Sequence, residues 1–507
     1  MLTKKFLKLL SVITSLLFIF VLAISPNALA DNQQIATDSK TSEKEQKYIT
    51  GATANITNDC PKNLNCQILP GQSSHSKTNR DNSTTGPQFR FIVIHDTEEQ
   101  LTETLGLVQS PDYTASWNFT MDENKVYQHF DAKTDLLWHA GNFYFNMHAL
   151  GIEHIGYIGG GGWYTDKLYR DSAVLVKSLA QKYNIPLDKA HIIGHENIPG
   201  ISVGATQNVH KDPGPFWNWD LFFKYLDKPL ADGRAPSYDF TANQFALINP
   251  SFSQNHNKIT NASFYYKNNP SVKIDNYNYN EAPSSFVYVY NQPDLNSPLV
   301  FDSAYNAADK PINTDAESVP ARAYTGDIIY IKQVQGEWLK IQWTDGEGWI
   351  YNPKNNPVAV HIATKSASLK DNINISAIYG RAYPEESAYV DTGVTPQSIL
   401  PLEYTLKPNT QYPVADLNIT ADYFSSAQQK EVVGQAKYYM IYLGHHLVFI
   451  NANDVNIKDN PIPNVSPYDD FGINAFWLII LTSCLMLAVI IIIWYRFKIK
   501  KPTTTIS

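Results

Sequence analysis

Three cysteines in 507 residues leave little cysteine chemistry to consider. Cys484 lies inside a long apolar run and reads as a small apolar side chain. Cys60 and Cys66 are open to a local bridge or, less well, to a metal, since no further cysteine joins them. No CxxC or HExxH is present, and the four-glycine run Gly159–Gly162 is not followed by GK[ST]. Those absences remove the usual short signatures of zinc proteases and phosphate-binding loops, and the glycines read as a turn. Charge is scarce as well, at 17% of residues with a net charge of −8. A nucleic-acid binder would normally show a basic face, so no nucleic-acid partner is expected. A neutral or cationic polymer remains open.

The two ends are apolar. Lys4, Lys5 and Lys8 precede an apolar run to about Ile24, and Ala28-Leu29-Ala30 follows as a small-x-small cleavage pattern. Residues 1–30 are therefore expected to be a secretory signal peptide. Residues 475–495 are almost wholly apolar and, as a helix, would span about 31 Å, the thickness of a bilayer core. Arg496, Lys498, Lys500 and Lys501 follow at once, so the tail 496–507 is expected in the cytoplasm and the rest outside the cell membrane.

Between these ends the composition changes several times. Residues 31–87 are polar and poor in apolar side chains, which predicts a disordered linker. From Gln88 the chain alternates strand and helix signals. Phe91–Ile94 reads as a buried strand, Trp117–Met121 and Lys125–Phe130 as a hairpin around Asp122-Glu123-Asn124, and Gly151–Ile158 as another strand. Leu168, Leu175, Leu179 and Tyr183 recur at helical spacing, predicting a helix over 166–183 that Pro186 stops. His191–Gly194 reads as a strand and Trp217–Leu226 as a terminal helix. This order implies an α/β domain over 88–228 with its site at strand ends.

Residues 229–283, rich in Asn and Tyr, read as a loose connector. Beyond it Trp338–Trp343 alternates, Asp345-Gly346 marks a turn, and Gly348–Tyr351 alternates again. Tyr438–Leu443, Gly444-His445-His446 and Leu447–Asn451 repeat that pattern. All-β domains are expected over 284–357 and 358–458, with a stalk over 459–474. On that plan the connector lets the first domain reach outwards from the β-rich segments, and a chain ending near Lys228 would keep its activity.

The stretch from His195 to Pro215 is where chemistry concentrates. Ile192-Ile193 delivers His195 into a loop rich in Gly and Pro, which returns His210, Lys211 and Asp212 before Pro213-Gly214-Pro215. About 100 residues upstream, the run Phe91–Ile94 ends in His95. Two imidazoles and a carboxylate, each following a stiff element, could make a catalytic zinc site with one open position. Glu153 lies in an apolar run beside Ile152 and Ile155, where an unpaired charge is costly, which favours a functional role. His129, His148, His154 and His191 read as structural histidines. His139 reads equally well as a cleft-wall or a core residue.

The segments FIVIHDTEE, ASWNFTMDENKVYQHF, LLWHAGNFYFN, ALGIEHIGY, IIGHENIPG and HKDPGPFWNW occur in this order. Together they resemble the zinc-dependent N-acetylmuramoyl-L-alanine amidases related to phage lysozyme-amidases and peptidoglycan recognition proteins, over about residues 88–226. The resemblance implies a central mixed β-sheet with flanking helices, zinc on His95, His195 and Asp212, Glu153 as catalytic carboxylate and His210 as oxyanion stabiliser. It implies peptidoglycan as substrate, cut at the amide between the lactyl group and L-alanine. The loop from His195 to Asp212 is about seven residues longer than that family's pattern, with ISVGATQNV inside it. The hairpin at GEWLKIQWTDGEGWIYN resembles bacterial SH3-like wall-binding domains, and 358–458 is a candidate second copy. The alternative functions are a peptidoglycan receptor that does not cut and a tether between membrane and wall.

Overall fold

The computed structural model describes residues 56–72, 78–79, 89–259, 282–302, 304, 312–393, 395–396, 398–419, 421–424, 429–432, 434–462 and 491. The expected signal peptide lies outside the described residues, as does the apolar segment 475–495 apart from Ile491. Among the described residues no helix is long and apolar enough to cross a membrane.

A six-stranded mixed sheet organises the first part of the chain. Its strands are β1 (Cys66–Ile68), β2 (Phe91–Asp96), β3 (Phe119–Met121), β4 (Val126–Gln128), β5 (Ala149–His154) and β6 (Ile192–Gly194), in the order β1-β4-β3-β5-β2-β6. Central β2 is parallel to both neighbours, and all six of its residues are buried. Such a strand must be apolar on both faces, which is what Phe-Ile-Val-Ile supplies. β3 and β4 form the expected hairpin, with Asp122 Oδ1 accepting hydrogen bonds from Asn124 N and Lys125 N across the turn.

Five helices accompany this sheet: α1 (Leu101–Gln109), α2 (Phe143–His148), α3 (Asp166–Tyr183), α4 (Val203–Gln207) and α5 (Trp219–Tyr225). α3 has the bounds its spacing predicts. Thr165 caps its start by accepting from Leu168 N, and Asn184 ends it in the left-handed region. Leu168, Leu175, Val176 and Leu179 of α3 meet Ile92, Ile94, Ile152 and Ile192, the side chains on one face of the sheet.

The rest of the chain corrects the expected boundaries. A five-stranded antiparallel sheet comprises β7 (Gln244–Ile248), β8 (Ile328–Gln335), β9 (Trp338–Trp343), β10 (Gly346–Tyr351) and β11 (Ala359–His361), in the order β10-β9-β8-β7-β11. Strand β7 lies within the stretch read as a loose connector, yet it is an interior strand of this sheet, paired with both β8 and β11. The disordered linker expected over 31–87 also gives way near its end. Cys60 and Cys66 are joined by a disulfide, and β1 pairs in parallel with β4.

A seven-stranded sheet follows: β12 (Thr364–Leu369), β13 (Ser376–Tyr379), β14 (Pro401–Leu406), β15 (Tyr412–Asp416), β16 (Tyr438–Leu443), β17 (His446–Asn451) and β18 (Val455–Asn460), in the order β14-β13-β17-β16-β15-β12-β18. Both expected hairpins are present, β9–β10 and β16–β17. The sheets around them differ in strand number and order, so the resemblance between the two segments stops at the hairpin.

Neither β-rich part hangs on a tether. The second face of the six-stranded sheet, carrying Phe91, Val93 and Ile193, shares one apolar core with Met440, Tyr442, Leu447 and Phe449 of β16–β17. The other core continues from Trp219, Phe222 and Phe223 into Leu247, Phe286 and Tyr324. The described residues from 56 onwards belong to one compact unit. The outward-reaching connector is thus replaced by direct packing, because the α/β sheet is apolar on both faces and on the second face the short helix α2 shares the cover with β16–β17.

Candidate metal centre and catalytic carboxylate

The three expected ligands converge. His95 is the penultimate residue of β2, His195 follows β6, and Asp212 ends the loop that leaves His195. A donor atom from each lies within 4.8 Å of the others, and the residues are only 2%, 4% and 4% exposed. His95 Nδ1 lies 2.9 Å from Asp212 Oδ2, and His195 Nδ1 lies 3.3 Å from Asp212 Oδ1. Glu196 N donates to Asp212 O at 3.1 Å, which closes the loop onto the strand end. Burial pushes His95 down to about 4 despite the neighbouring Asp212, so its ring is neutral at neutral pH. Burial would raise Asp212. The charge and hydrogen bond of His195 and those of His95 outweigh it and hold Asp212 well below the usual carboxylate range. Two imidazoles, that of His95 held neutral by burial, beside an ionised carboxylate are a donor set that fits a divalent metal. His195 Nε2, buried with no hydrogen-bond partner, adds a second reason for the fit, since a metal would satisfy it.

Glu153 sits beside this cluster because of sheet register. β2 and β5 are parallel neighbours in which His95 pairs with Glu153. Burial, and then the charge of Asp212, raise Glu153 well above the usual carboxylate value. Its Oε2 is buried without a hydrogen-bond partner. A carboxyl group so placed is ready to exchange a proton rather than to hold a permanent ion pair.

His210 is brought to the site but not into it. Its side chain is 78% exposed, its ring stacks on His195 with centroids 5.1 Å apart, and its Nδ1 lies 3.8 Å from Asp212 Oδ1. His139 is buried, with Nδ1 3.0 Å from His95 Nε2. That contact sets His139 against the candidate metal cluster, where it steadies the His95 ring. At Gly151, on the neighbouring strand β5, a Cβ would lie 2.8 Å from the His139 ring, so a larger residue there displaces that ring.

The histidines read as structural are so. His129 contacts Leu69 O and Thr120 Oγ1, and His154 contacts His95 O and Ser172 Oγ. His148 is fully buried against Tyr144. His191 meets Asp188 and Asp416.

Sequence reasoning missed Tyr113, which the Glu153 charge influences. It also missed Asn197, whose side chain accepts from Gly194 N at 3.0 Å immediately before the ligand His195. Only its position two after His195 hinted at this. The long loop has a structural account too. Ser202 caps the short helix α4 inside it, and Leu400 N, next to β14, donates to Ile201 O at 3.1 Å. The extra residues dock the loop on the seven-stranded sheet.

Residues 85–215 match the family model described as N-acetylmuramoyl-L-alanine amidase. Similar solved structures include a mutant endolysin from Bacillus subtilis, with 23% identity over 26% of this chain and 84% of that one and a TM-score of 0.22. Another is the amidase AmiD from E. coli in complex with its substrate anhydro-N-acetylmuramic acid-L-Ala-D-gamma-Glu-L-Lys, with 20% identity over 31% of this chain and 68% of that one and a TM-score of 0.25. Among curated proteins nothing matches. The family match spans β2 to the loop end at Asp212, the segment that builds the cluster. The chain therefore carries an N-acetylmuramoyl-L-alanine amidase domain over residues 85–215 and is an enzyme of that kind.

Proposed function

We propose that this domain is a zinc-dependent hydrolase of peptidoglycan, cutting the amide between the lactyl group of N-acetylmuramic acid and L-alanine. The observation that carries the reading is the register pairing of His95 with Glu153, which sets a protonatable carboxyl group beside a metal-ligand cluster. His95, His195 and Asp212 would hold the zinc. Bound there, it would supply Lewis-acid activation of the scissile carbonyl and of a water. Glu153 takes the proton of the attacking water and returns it to the leaving amine, help typically worth about 10²–10⁴-fold. His210, exposed at the rim, donates to the developing oxyanion.

Cellular placement belongs to the same proposal. An exported chain held by its C-terminal apolar segment would face the cell wall, and the two β-sheets fused to the domain would add wall-contacting surface. The test is digestion of purified peptidoglycan with mass detection of free N-terminal L-alanine. Release by the native chain and loss of release by Glu153→Gln are expected. Cut glycan strands in place of free L-alanine would overturn the substrate, and release at the native rate by Glu153→Gln would remove Glu153 from the mechanism.

A further inference from the structure

The ligand His195 stands in a 3-10 turn, His195–Asn197, whose far end is gripped from outside the amidase domain. Asn197 is 3% exposed and uses its amide in both senses. Its Oδ1 accepts from Gly194 N at 3.0 Å and from Lys189 Nζ at 2.8 Å. Its Nδ2 donates to His445 O at 2.7 Å. Two donors on one side and a carbonyl on the other leave the amide a single orientation. His445 belongs to the tip Gly444-His445-His446 of the β16–β17 hairpin, about 250 residues further along the chain.

The surroundings make this a fixed post rather than a surface contact. Lys189 is 6% exposed, and its ammonium lies 4.2 Å from the Trp219 ring centroid. Glu196 and Asp327 are fully or almost fully buried nearby, and their charges act on Lys189. Asp327 comes from the turn before β8, so the five-stranded sheet contributes as well. On the hairpin side, Gly444 has φ +60°, a conformation glycine adopts without penalty. A Cβ there would meet Thr344 Cγ2 at 3.1 Å. The tip is held in one conformation against both the amidase turn and the five-stranded sheet.

We propose that the metal centre is completed by the seven-stranded sheet: the β16–β17 tip fixes Asn197, and Asn197 fixes the end of β6 from which His195 is presented. Asn197 is thus a positioning residue that touches neither metal nor substrate. The inference rests on the zinc reading above. It goes beyond that reading in making a distant hairpin part of the metal site. Outer partners of metal ligands typically change affinity by about 10–100-fold when lost.

The test uses the full chain and two variants from opposite sides of one hydrogen bond. Asn197→Asp keeps both acceptor contacts and sets a carboxylate against His445 O. Gly444→Val strains the tip and moves that carbonyl. Arg90→Gln removes a different contact between the same two sheets, the Arg90–Asp416 ion pair. Zinc dissociation constants by chelator competition and the visible spectrum of the cobalt-loaded protein are measured, with circular dichroism to confirm folding. Zinc affinity about 10–100-fold weaker and an altered cobalt spectrum are expected in Asn197→Asp and Gly444→Val. The double variant should be no weaker than the worse single one, and Arg90→Gln should match the native chain. A folded Asn197→Asp with native affinity and spectrum would overturn the inference while leaving the zinc reading intact. A native chain that takes up no zinc would overturn both.

Discussion

Phe449 stands edge-on to Tyr144, with ring centroids 4.9 Å apart and an interplanar angle of 76°. Tyr144 is on α2, beside the active-site segment, and Phe449 is on β17 of the seven-stranded sheet. Both are fully buried in the core that also holds Phe91 and Val93. Phe449→Ala leaves a cavity between the two sheets and should cost about 3–5 kcal/mol. Because the core is shared, thermal unfolding followed by tryptophan fluorescence and by loss of bound zinc should move down together. Two separate transitions, with only one shifted by the variant, would contradict a shared core.

The same boundary holds a pH-sensitive contact. Burial pushes the His191 ring down, but hydrogen bonds to Asp188 and Asp416 and the charges of both raise it to about 9. Arg90 shares Asp416. A histidine raised in the folded state contributes stability that is fully present below its ordinary value of about 6.5 and is lost as pH rises through about 9. The melting temperature of the native chain should therefore fall between these pH values by more than that of His191→Gln, which has no such proton to lose. Parallel profiles would remove the contact from the pH response.

Much of the α/β domain was legible because its signals are local. The spacing of Leu168, Leu175, Leu179 and Tyr183, with Pro186 beyond, delimits α3 within the chain itself. Two of the three candidate ligands, His95 and His195, follow apolar runs that read as strands, and the motif order ties Asp212 to them. Strand β7 was hidden for the opposite reason. Gln-Phe-Ala-Leu-Ile is too short for periodicity to tell strand from helix, and its partners lie about 80 and 110 residues downstream. The docking of the sheets was hidden too. Apolar side chains on both sides of β2 say that both faces are covered, not by which segment.

Gly151 gives a test of how His95 is steadied. Its φ and ψ are those of an ordinary strand, so alanine is acceptable to the backbone, but the added methyl meets His139 at 2.8 Å. His139 must shift and its 3.0 Å contact with His95 Nε2 is disturbed. Gly151→Ala should weaken zinc binding by about 10-fold or more while the protein stays folded. His139→Ala combined with Gly151→Ala should then add nothing beyond His139→Ala alone, because the clash needs the ring. Additive losses in chelator titrations would point to a separate route from Gly151 to the metal.

The last prediction concerns a chain cut after Lys228. If the amidase domain were an independent module, such a chain would fold and cut soluble muropeptides. Its second sheet face argues otherwise. Phe91, Val93, Phe145 and Ile193 are all fully buried in the full chain, and β16–β17 supplies much of their cover. Full burial of a side chain of this size stabilises by about 1.5–3 kcal/mol. Exposing four of them removes about 6–12 kcal/mol, comparable with the ~5–15 kcal/mol stability of a whole domain. The turn at Asn197 loses its bond to His445 O as well. The truncated chain should be aggregation-prone, bind a dye specific for exposed apolar surface, and hold zinc poorly. Adding separately produced residues 229–462 should restore solubility in part, since the missing face would be covered in trans. A monomeric, cooperatively folded truncated chain with native zinc affinity would show that the sheets only rest against the domain and contribute nothing to its metal centre.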